Sequence, residues 1–326
     1  MPPTIEDVCQ AEQRIAQDIR KTPLVRSDAL DAIVGGKVFV KAECLQVTGA
    51  FKIRGAYNRL RQFTPEQVEG GVLTWSSGNH GQAIAAAARQ LGMRAVVLMP
   101  HDSAPTKIER TRAHGGQVEF FQRGIVDATA WGQELAQASG ATIVPPANDA
   151  AVIAGQATAT LEILQQMIAM GAGTPDMQLV PCGSGGLTAG AATVLSVLSP
   201  HTTLYAVEPE DFDDTARSLA AGERLAIAPG RSTICDALTA RIPAPLTFSI
   251  NRALGVRALA VSDDEVRRAM VFAFSELKLV MEPGGAAALA ALLAGKVETA
   301  GKTITLICSG GNVDAGLYAR IVGGGA

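Results

Sequence analysis

Apolar residues follow two rhythms along this chain. Short runs are β-branched and alternate or are apolar throughout, as strands do. Longer runs are rich in Ala and Leu and keep the helical period. Lys37–Glu43 alternates like a strand, and Gly71–Trp75, Ala95–Met99, Val118–Phe121, Gln178–Pro181, Thr203–Val207 and Thr303–Cys308 read as further strands. Between them, Gln82–Leu91, Pro105–Ala113, Asp127–Ala138, Ile153–Met170, Leu187–Leu198 and Asp263–Leu277 read as helices. Pro105 suits a first helical turn, and the acidic residues after Ser262 suit another. Repeated strand–loop–helix units predict an α/β fold with a mostly parallel sheet and helices on both faces. In such sheets ligands sit at the carboxyl ends of strands. The glycine-bearing loops after Trp75, Pro181 and Cys308 all fall there.

Composition narrows the function. The 326 residues suit two domains or one large α/β unit. An apolar share of 48% supplies a large core, and 18% charged residues argue against disorder or a coiled coil. A net charge of −3 with no basic block excludes phosphate-backbone binding as the main task, and 4% aromatics leave no stacking platform, so no nucleic-acid partner is expected. The first residues carry no basic, apolar leader, and the most apolar stretch, Gly284–Ala294, is too short to span a bilayer. No membrane partner is expected. Five scattered cysteines, none in a Cys-x-x-Cys pair, fit a reduced cytoplasmic protein.

Four short segments carry candidate chemistry. In Thr48–Gly55 (TGAFKIRG), Lys52 follows Phe51 at a helix start. Alone this is an ordinary amphipathic helix start, but a lysine held in a partly buried site can form a Schiff base, because desolvation favours the neutral amine. Ser76–Gln82 (SSGNHGQ) lies between a strand and a helix. Its hydroxyls and helix-terminal NH groups suit a carboxylate, and Asn79 can donate to a phenolic oxygen; otherwise it is a polar capping loop with a structural His80. Gly183–Leu187 (GSGGL) aims several NH groups at one point, as a phosphate cradle does, and matches neither dinucleotide nor P-loop patterns. Ser309–Asn312 (SGGN) ends a strand with a hydroxyl that could bond a ring nitrogen, or simply forms a tight turn.

In this order and spacing the four segments resemble the serine/threonine dehydratase and serine racemase family of pyridoxal-phosphate enzymes, of the tryptophan-synthase-β fold type, with threo-3-hydroxyaspartate dehydratases as near members. Lys21–Val25 (KTPLV), Ala151–Gln156 (AVIAGQ), Glu282–Ala290 (EPGGAAALA) and Cys308–Asp314 (CSGGNVD) extend the resemblance over almost the whole chain. It implies two open, mostly parallel sheets, with the cofactor in a cleft between a large domain (1–70 and 149–326) and a small one (71–148). It implies pyridoxal 5'-phosphate on Lys52, with Phe51 beside the ring and Asn79 at the phenolic oxygen. Gly183, Ser184, Gly185, Gly186 and Leu187 would hold the phosphate, and Ser309 the pyridine nitrogen. Ser76, Ser77, Asn79 and His80 would receive the substrate carboxylate. A neutral Ser309 makes the cofactor a weaker electron sink, which suits β-elimination.

The activity implied is an ammonia-lyase that converts L-serine, L-threonine or threo-3-hydroxyaspartate to a keto acid and ammonia. Ser77 stands where racemases of the family place an opposite-face acid/base, so a serine or aspartate racemase is the rival enzyme. A catalytically dead binding module is the rival outside enzymes, and the intact Lys52, Asn79 and Ser309 argue against it. Pro145, Pro146, Ala147, Thr239 and Ala240 depart from racemase patterns and leave room for a larger substrate. The resemblance also implies Mg²⁺, Mn²⁺ or Ca²⁺ on Glu208, Asp214 and the Phe212 carbonyl, although the acidic run could be a solvated loop. It implies a homodimer. No isoleucine feedback is expected, since the sequence stops at Ala326 without a regulatory domain.

Overall fold

The structure, a computed structural model, describes residues 1–123 and 125–324. Two sheets form, as expected. The larger has six strands in the order β1-β2-β10-β7-β8-β9, and the smaller has four in the order β5-β4-β3-β6. The large sheet uses β1 (Leu24–Val25), β2 (Lys37–Ala42), β7 (Met177–Pro181), β8 (Thr203–Pro209), β9 (Arg257–Val261) and β10 (Thr303–Cys308). The small sheet uses β3 (Val72–Trp75), β4 (Ala95–Pro100), β5 (Gln117–Phe121) and β6 (Thr142–Ile143). Every strand pair is parallel except β1 with β2.

Strand β10 is central because it is apolar enough for both faces to be covered. Ile304, Leu306, Ile307 and Cys308 are fully buried, and Leu306 sits level with Val40 of β2 and Leu179 of β7. Helix boundaries follow capping. Helix Ala150–Ala169 begins earlier than the apolar period suggests, because Asp149 accepts a bond from the Val152 NH. Asp127 caps Ala128–Ser139 rather than opening it. The single helix expected over Asp263–Leu277 is instead α-helical only to Phe272; residues Ala273–Leu277 widen into a π turn that ends at Lys278, whose φ is 56°.

One packing contact fixes the site. Helix Lys52–Leu60 crosses helix Ala150–Ala169 so closely that a Cβ on Gly155 would lie 2.6 Å from the Cα of Gly55. Gln156 Oε1 accepts the Gly55 NH at 3.2 Å, so the AVIAGQ segment holds the helix that starts at Lys52. No helix among the described residues is long and apolar enough to cross a membrane.

Candidate active site

The carboxyl ends of β3, β7 and β10 face a common cavity of about 290 Å³. Its walls include Phe51, Lys52, Ser76, Ser77, Asn79, His80, Gly183 to Leu187 and Ser309. Every cofactor and substrate residue expected from the sequence therefore lines one space.

Lys52 stands at the first turn of its helix. Its Nζ donates to the Pro146 carbonyl at 2.9 Å and lies 5.2 Å from the Phe51 ring centre. Burial lowers its pKa to about 8. The strand-end loop of β10 is stitched to the same segment: the Phe51 NH donates to the Ser309 carbonyl at 3.0 Å, and Ala50 bridges to Gly310. That stitch holds Ser309 and Lys52 against one cavity.

Helix Asn79–Gln90 points its N-terminus at the cavity, and Ser76 Oγ accepts the Gly78 NH at 3.0 Å. The first intrahelical bond comes from Gln82 to Gly78, so the NH groups of Asn79, His80 and Gly81 precede the helical ladder. His80 is buried, its Nε2 3.1 Å from the Val144 carbonyl. Burial, then the charge of Lys52, drives its pKa down to about 3, so the imidazole is neutral and structural.

The glycine-rich loop opens helix Gly186–Leu198. Gly185 has φ 85°, and a Cβ there would lie 2.9 Å from Thr247 Oγ1. Thr247 donates to the Ser184 carbonyl at 2.6 Å and braces the loop. Thr188 Oγ1, one residue beyond it, is buried without a hydrogen-bond partner among the described residues. NH groups at a helix start with an orphan hydroxyl beside them suit a phosphate. A lysine with a lowered pKa, this cradle and a hydroxyl at a strand end fit pyridoxal phosphate.

Comparison with known proteins agrees. Residues 15–310 match the family described as pyridoxal-phosphate dependent enzymes. The chain belongs to that family. It is similar to an L-threo-3-hydroxyaspartate ammonia-lyase of a Pseudomonas species, 39% identical over 318 residues and 98% of each chain. It is similar to a serine racemase of Schizosaccharomyces pombe, 38% identical over 98% of this chain and 97% of the relative. Among solved structures, maize serine racemase superposes with TM-score 0.92 at 35% identity, covering 98% of this chain and 97% of that one.

For this pyridoxal-phosphate-dependent enzyme, sequence reasoning missed a second layer of polar residues. Glu282, Lys107 and Asp236 also line the cavity. Asn79 Nδ2 donates to Glu282, and Asn312 Nδ2 donates to Asn79 Oδ1 at 2.9 Å. Burial raises the Glu282 pKa above the usual carboxylate range, and Lys107 opposes that rise. Glu282 and Asn312 had a signal, their places in the EPGGAAALA and SGGN segments; Lys107 and Asp236 acquire meaning only in space.

The residues expected to hold a metal are close together. Both Glu208 oxygens accept NH groups of the helix that starts at Asp214, from Thr215 at 2.9 Å and Ala216 at 2.8 Å. Asp214 is 1% exposed, yet neither of its carboxylate oxygens has a hydrogen-bond partner among the described residues. Burial and then Asp214 raise the Glu208 pKa to about 8. Burial raises that of Asp214 to about 7. Phe212 closes the turn before Asp214 and is itself buried. Among the described residues no three acidic, His or Cys side chains gather at one point, so a third protein donor would have to be a carbonyl. Orphaned buried oxygens of this kind fit a hard cation.

Proposed function

We propose that the protein is an ammonia-lyase that converts a β-hydroxy-amino acid to a keto acid and ammonia by α,β-elimination, with threo-3-hydroxyaspartate as the preferred substrate over serine and threonine. The observation that carries this reading is the single cavity shared by Lys52, the Ser76–Asn79 loop, the Gly183–Leu187 cradle and Ser309. Bound pyridoxal phosphate supplies the electron sink conjugated to the substrate Cα–H bond. Lys52 is its covalent anchor, and its lowered pKa leaves the released Nζ able to take the α-proton. Ser76, Ser77 and the NH groups of Asn79 and His80 bind the substrate carboxylate. Asn79 orients the ring through its phenolic oxygen, and the Ser309 hydroxyl meets the ring nitrogen.

Arg123 supports the dicarboxylate. The cavity has three basic side chains, Lys52, Lys107 and Arg123. Lys107 is already paired with Asp236 and Glu282, whereas among the described residues Arg123 pairs with the exposed Asp102 at 3.1 Å. Arg123 is thus able to receive a carboxylate at the β-carbon. A screen of the three substrates for keto-acid release tests this reading. Lys52→Ala should abolish turnover and borohydride-trappable cofactor. Arg123→Met should lower kcat/KM for hydroxyaspartate about tenfold or more while leaving serine nearly unchanged. Equal effects on both substrates would remove the dicarboxylate assignment.

Ser77 favours a second activity, racemisation, since its hydroxyl lines the same cavity as Lys52. Chiral analysis of recovered substrate tests it, with Ser77→Ala expected to remove racemisation far more than elimination. We also take a Mg²⁺, Mn²⁺ or Ca²⁺ ion to be held by Glu208, Asp214 and the Phe212 carbonyl, ordering its loop. The enzyme is read as a homodimer, and as cytoplasmic, a reducing location that its five free thiols suit. Its small domain is taken as residues 71–148, because all four strands of the smaller sheet fall there and all six of the larger fall outside.

A further inference from the structure

Helix Pro105–Ala113 lies between strands of the smaller sheet, yet two of its cations reach loop, turn and helix-cap residues outside residues 71–148. Lys107 and Arg110 are three apart and so share a helix face. Lys107 is buried, and its Nζ lies 2.6 Å from Asp236 Oδ2 and 3.3 Å from Glu282 Oε2. Its stem runs across Gly78, where a Cβ would come within 2.7 Å of the lysine Cδ. Arg110 donates to Asn312 Oδ1. Asn312 in turn spends its amide on the Thr48 carbonyl at 2.8 Å and on Asn79 Oδ1 at 2.9 Å.

These contacts impose a direction. An arginine can only donate, so the Asn312 oxygen must face Arg110 and its NH₂ must face Asn79. The Asn79 oxygen is thereby fixed toward Asn312. At the other end, Glu282 accepts from Asn79 Nδ2, and the Lys107 ammonium 3.3 Å from its other carboxylate oxygen works against the burial that raises its pKa, which supports the acceptor role. Cations that never touch the Asn79 amide thus help to assign both of its ends, Arg110 together with the accept-only Thr48 carbonyl at one and Lys107 through Glu282 at the other. One Nδ2 hydrogen remains free, and Asn79 lines the cavity.

We propose that Lys107 and Arg110 are positioning residues that fix the donor–acceptor polarity of the Asn79 amide, so that its remaining hydrogen is presented to the phenolic oxygen of the cofactor. This rests on reading the cavity as the pyridoxal-phosphate site. Without either cation that assignment weakens, and the amide more readily turns over and offers its oxygen to an oxygen.

The test uses the holoenzyme and reads the visible absorbance maximum and the cofactor dissociation constant. Lys107→Met and Arg110→Met should each displace the maximum and weaken cofactor binding about tenfold. Lys107→Arg and Arg110→Lys should restore most of both. Asn79→Ala should show the same displacement, and in that background neither methionine substitution should add to it. Methionine variants that keep the wild-type maximum and affinity would overturn the positioning role. So would effects that persist undiminished in Asn79→Ala, which would mark a general loss of packing. If Asn79→Ala alone changes neither quantity, the cofactor assignment of Asn79 fails and the positioning role falls with it; turnover of hydroxyaspartate by the wild type judges the proposed function separately.

Discussion

Two buried acid pairs in this enzyme have opposite fates. Glu43 and Glu162 lie under the helix that starts at Lys52, among Arg54 and Lys41. Arg54 donates to Glu43 at 2.8 and 2.7 Å and to Glu162 at 2.5 Å. Lys41 lies 3.3 Å from Glu162 and also donates to the Thr22 carbonyl and Gln166. Two cations thus meet two anions, and although burial raises the Glu43 pKa, Arg54 brings it below the ordinary carboxylate value. Glu208 and Asp214 are as deeply buried, but no ion pair with a lysine or arginine is found for either among the described residues, and both pKa values rise. The first pair is complete within the chain and serves the fold. The second lacks a cation partner among the described residues, which suits the cation site proposed above. Burial of charge is common to both, so it does not distinguish structure from function; the missing counterion does.

Breaking the complete network should have the largest effect on stability. Arg54→Leu leaves two carboxylates buried with Lys41 as their remaining cation, and removing one partner from such a network costs about 3–5 kcal/mol. A urea unfolding midpoint reads this, and added Mg²⁺ should leave the difference from wild type unchanged. A loss below about 1 kcal/mol, the size of an exposed pair, would show that the network is dispensable.

The incomplete pair should respond to solution conditions instead. If a cation completes it, chelation should lower the melting temperature and turnover together, and Mg²⁺, Mn²⁺ or Ca²⁺ should each restore both in part. At one hundred times its dissociation constant a bound ion adds about 2.7 kcal/mol. The same increment should appear in Arg54→Leu, since distant sites add. Unchanged melting and turnover after exhaustive chelation would make Glu208 and Asp214 a structural acidic pair. Asp214→Asn is the smaller, sharper test. It should remove the response to cations, and the chelated variant should be no less stable than chelated wild type, because the repulsion with Glu208 is gone. A variant that still gains stability from Mg²⁺ would place the ion elsewhere.

The same distinction explains what the sequence made legible. The loops after Trp75, Pro181 and Cys308 were readable because each is local: a strand, a few small residues, then a helix. The motifs then supplied Lys52, Asn79 and Ser309, and all three line the cavity. Glu282 and Asn312, which hold Asn79, stand more than two hundred residues from it in sequence, so no spacing rule reaches them. Lys107 reads as an ordinary helix lysine until its partners are seen. Strands β1 and β6 are two residues each, too short to show a period, and the π turn over Ala273–Leu277 has no simple composition signal. Counterions, present or missing, are a property of the folded chain.

Lys52 offers the gentlest test of the comparison, because it too lacks a counterion. Lys41 and Lys52 both have pKa values lowered to about 8 by burial, yet Lys41 is opposed by Glu162 and Glu43, whereas Lys52 has only the Pro146 carbonyl. Among the described residues no carboxylate pairs with Lys52 to hold its proton, so it loses it readily and becomes a nucleophile. The rate at which cofactor-free enzyme takes up pyridoxal phosphate should therefore rise with pH while Lys52 is mainly protonated, by about tenfold per unit well below its pKa, and level off above about 8. An ordinary lysine would keep the rate rising toward about 10.4. Stopped-flow absorbance from roughly pH 7 to 10 separates the two, and neither chelation nor Asp214→Asn should move the inflection. A rate still climbing tenfold per unit above about pH 9 would mean that burial does not set the reactivity of Lys52, and that some counter-charge in the cleft holds its proton as Glu162 helps to hold that of Lys41.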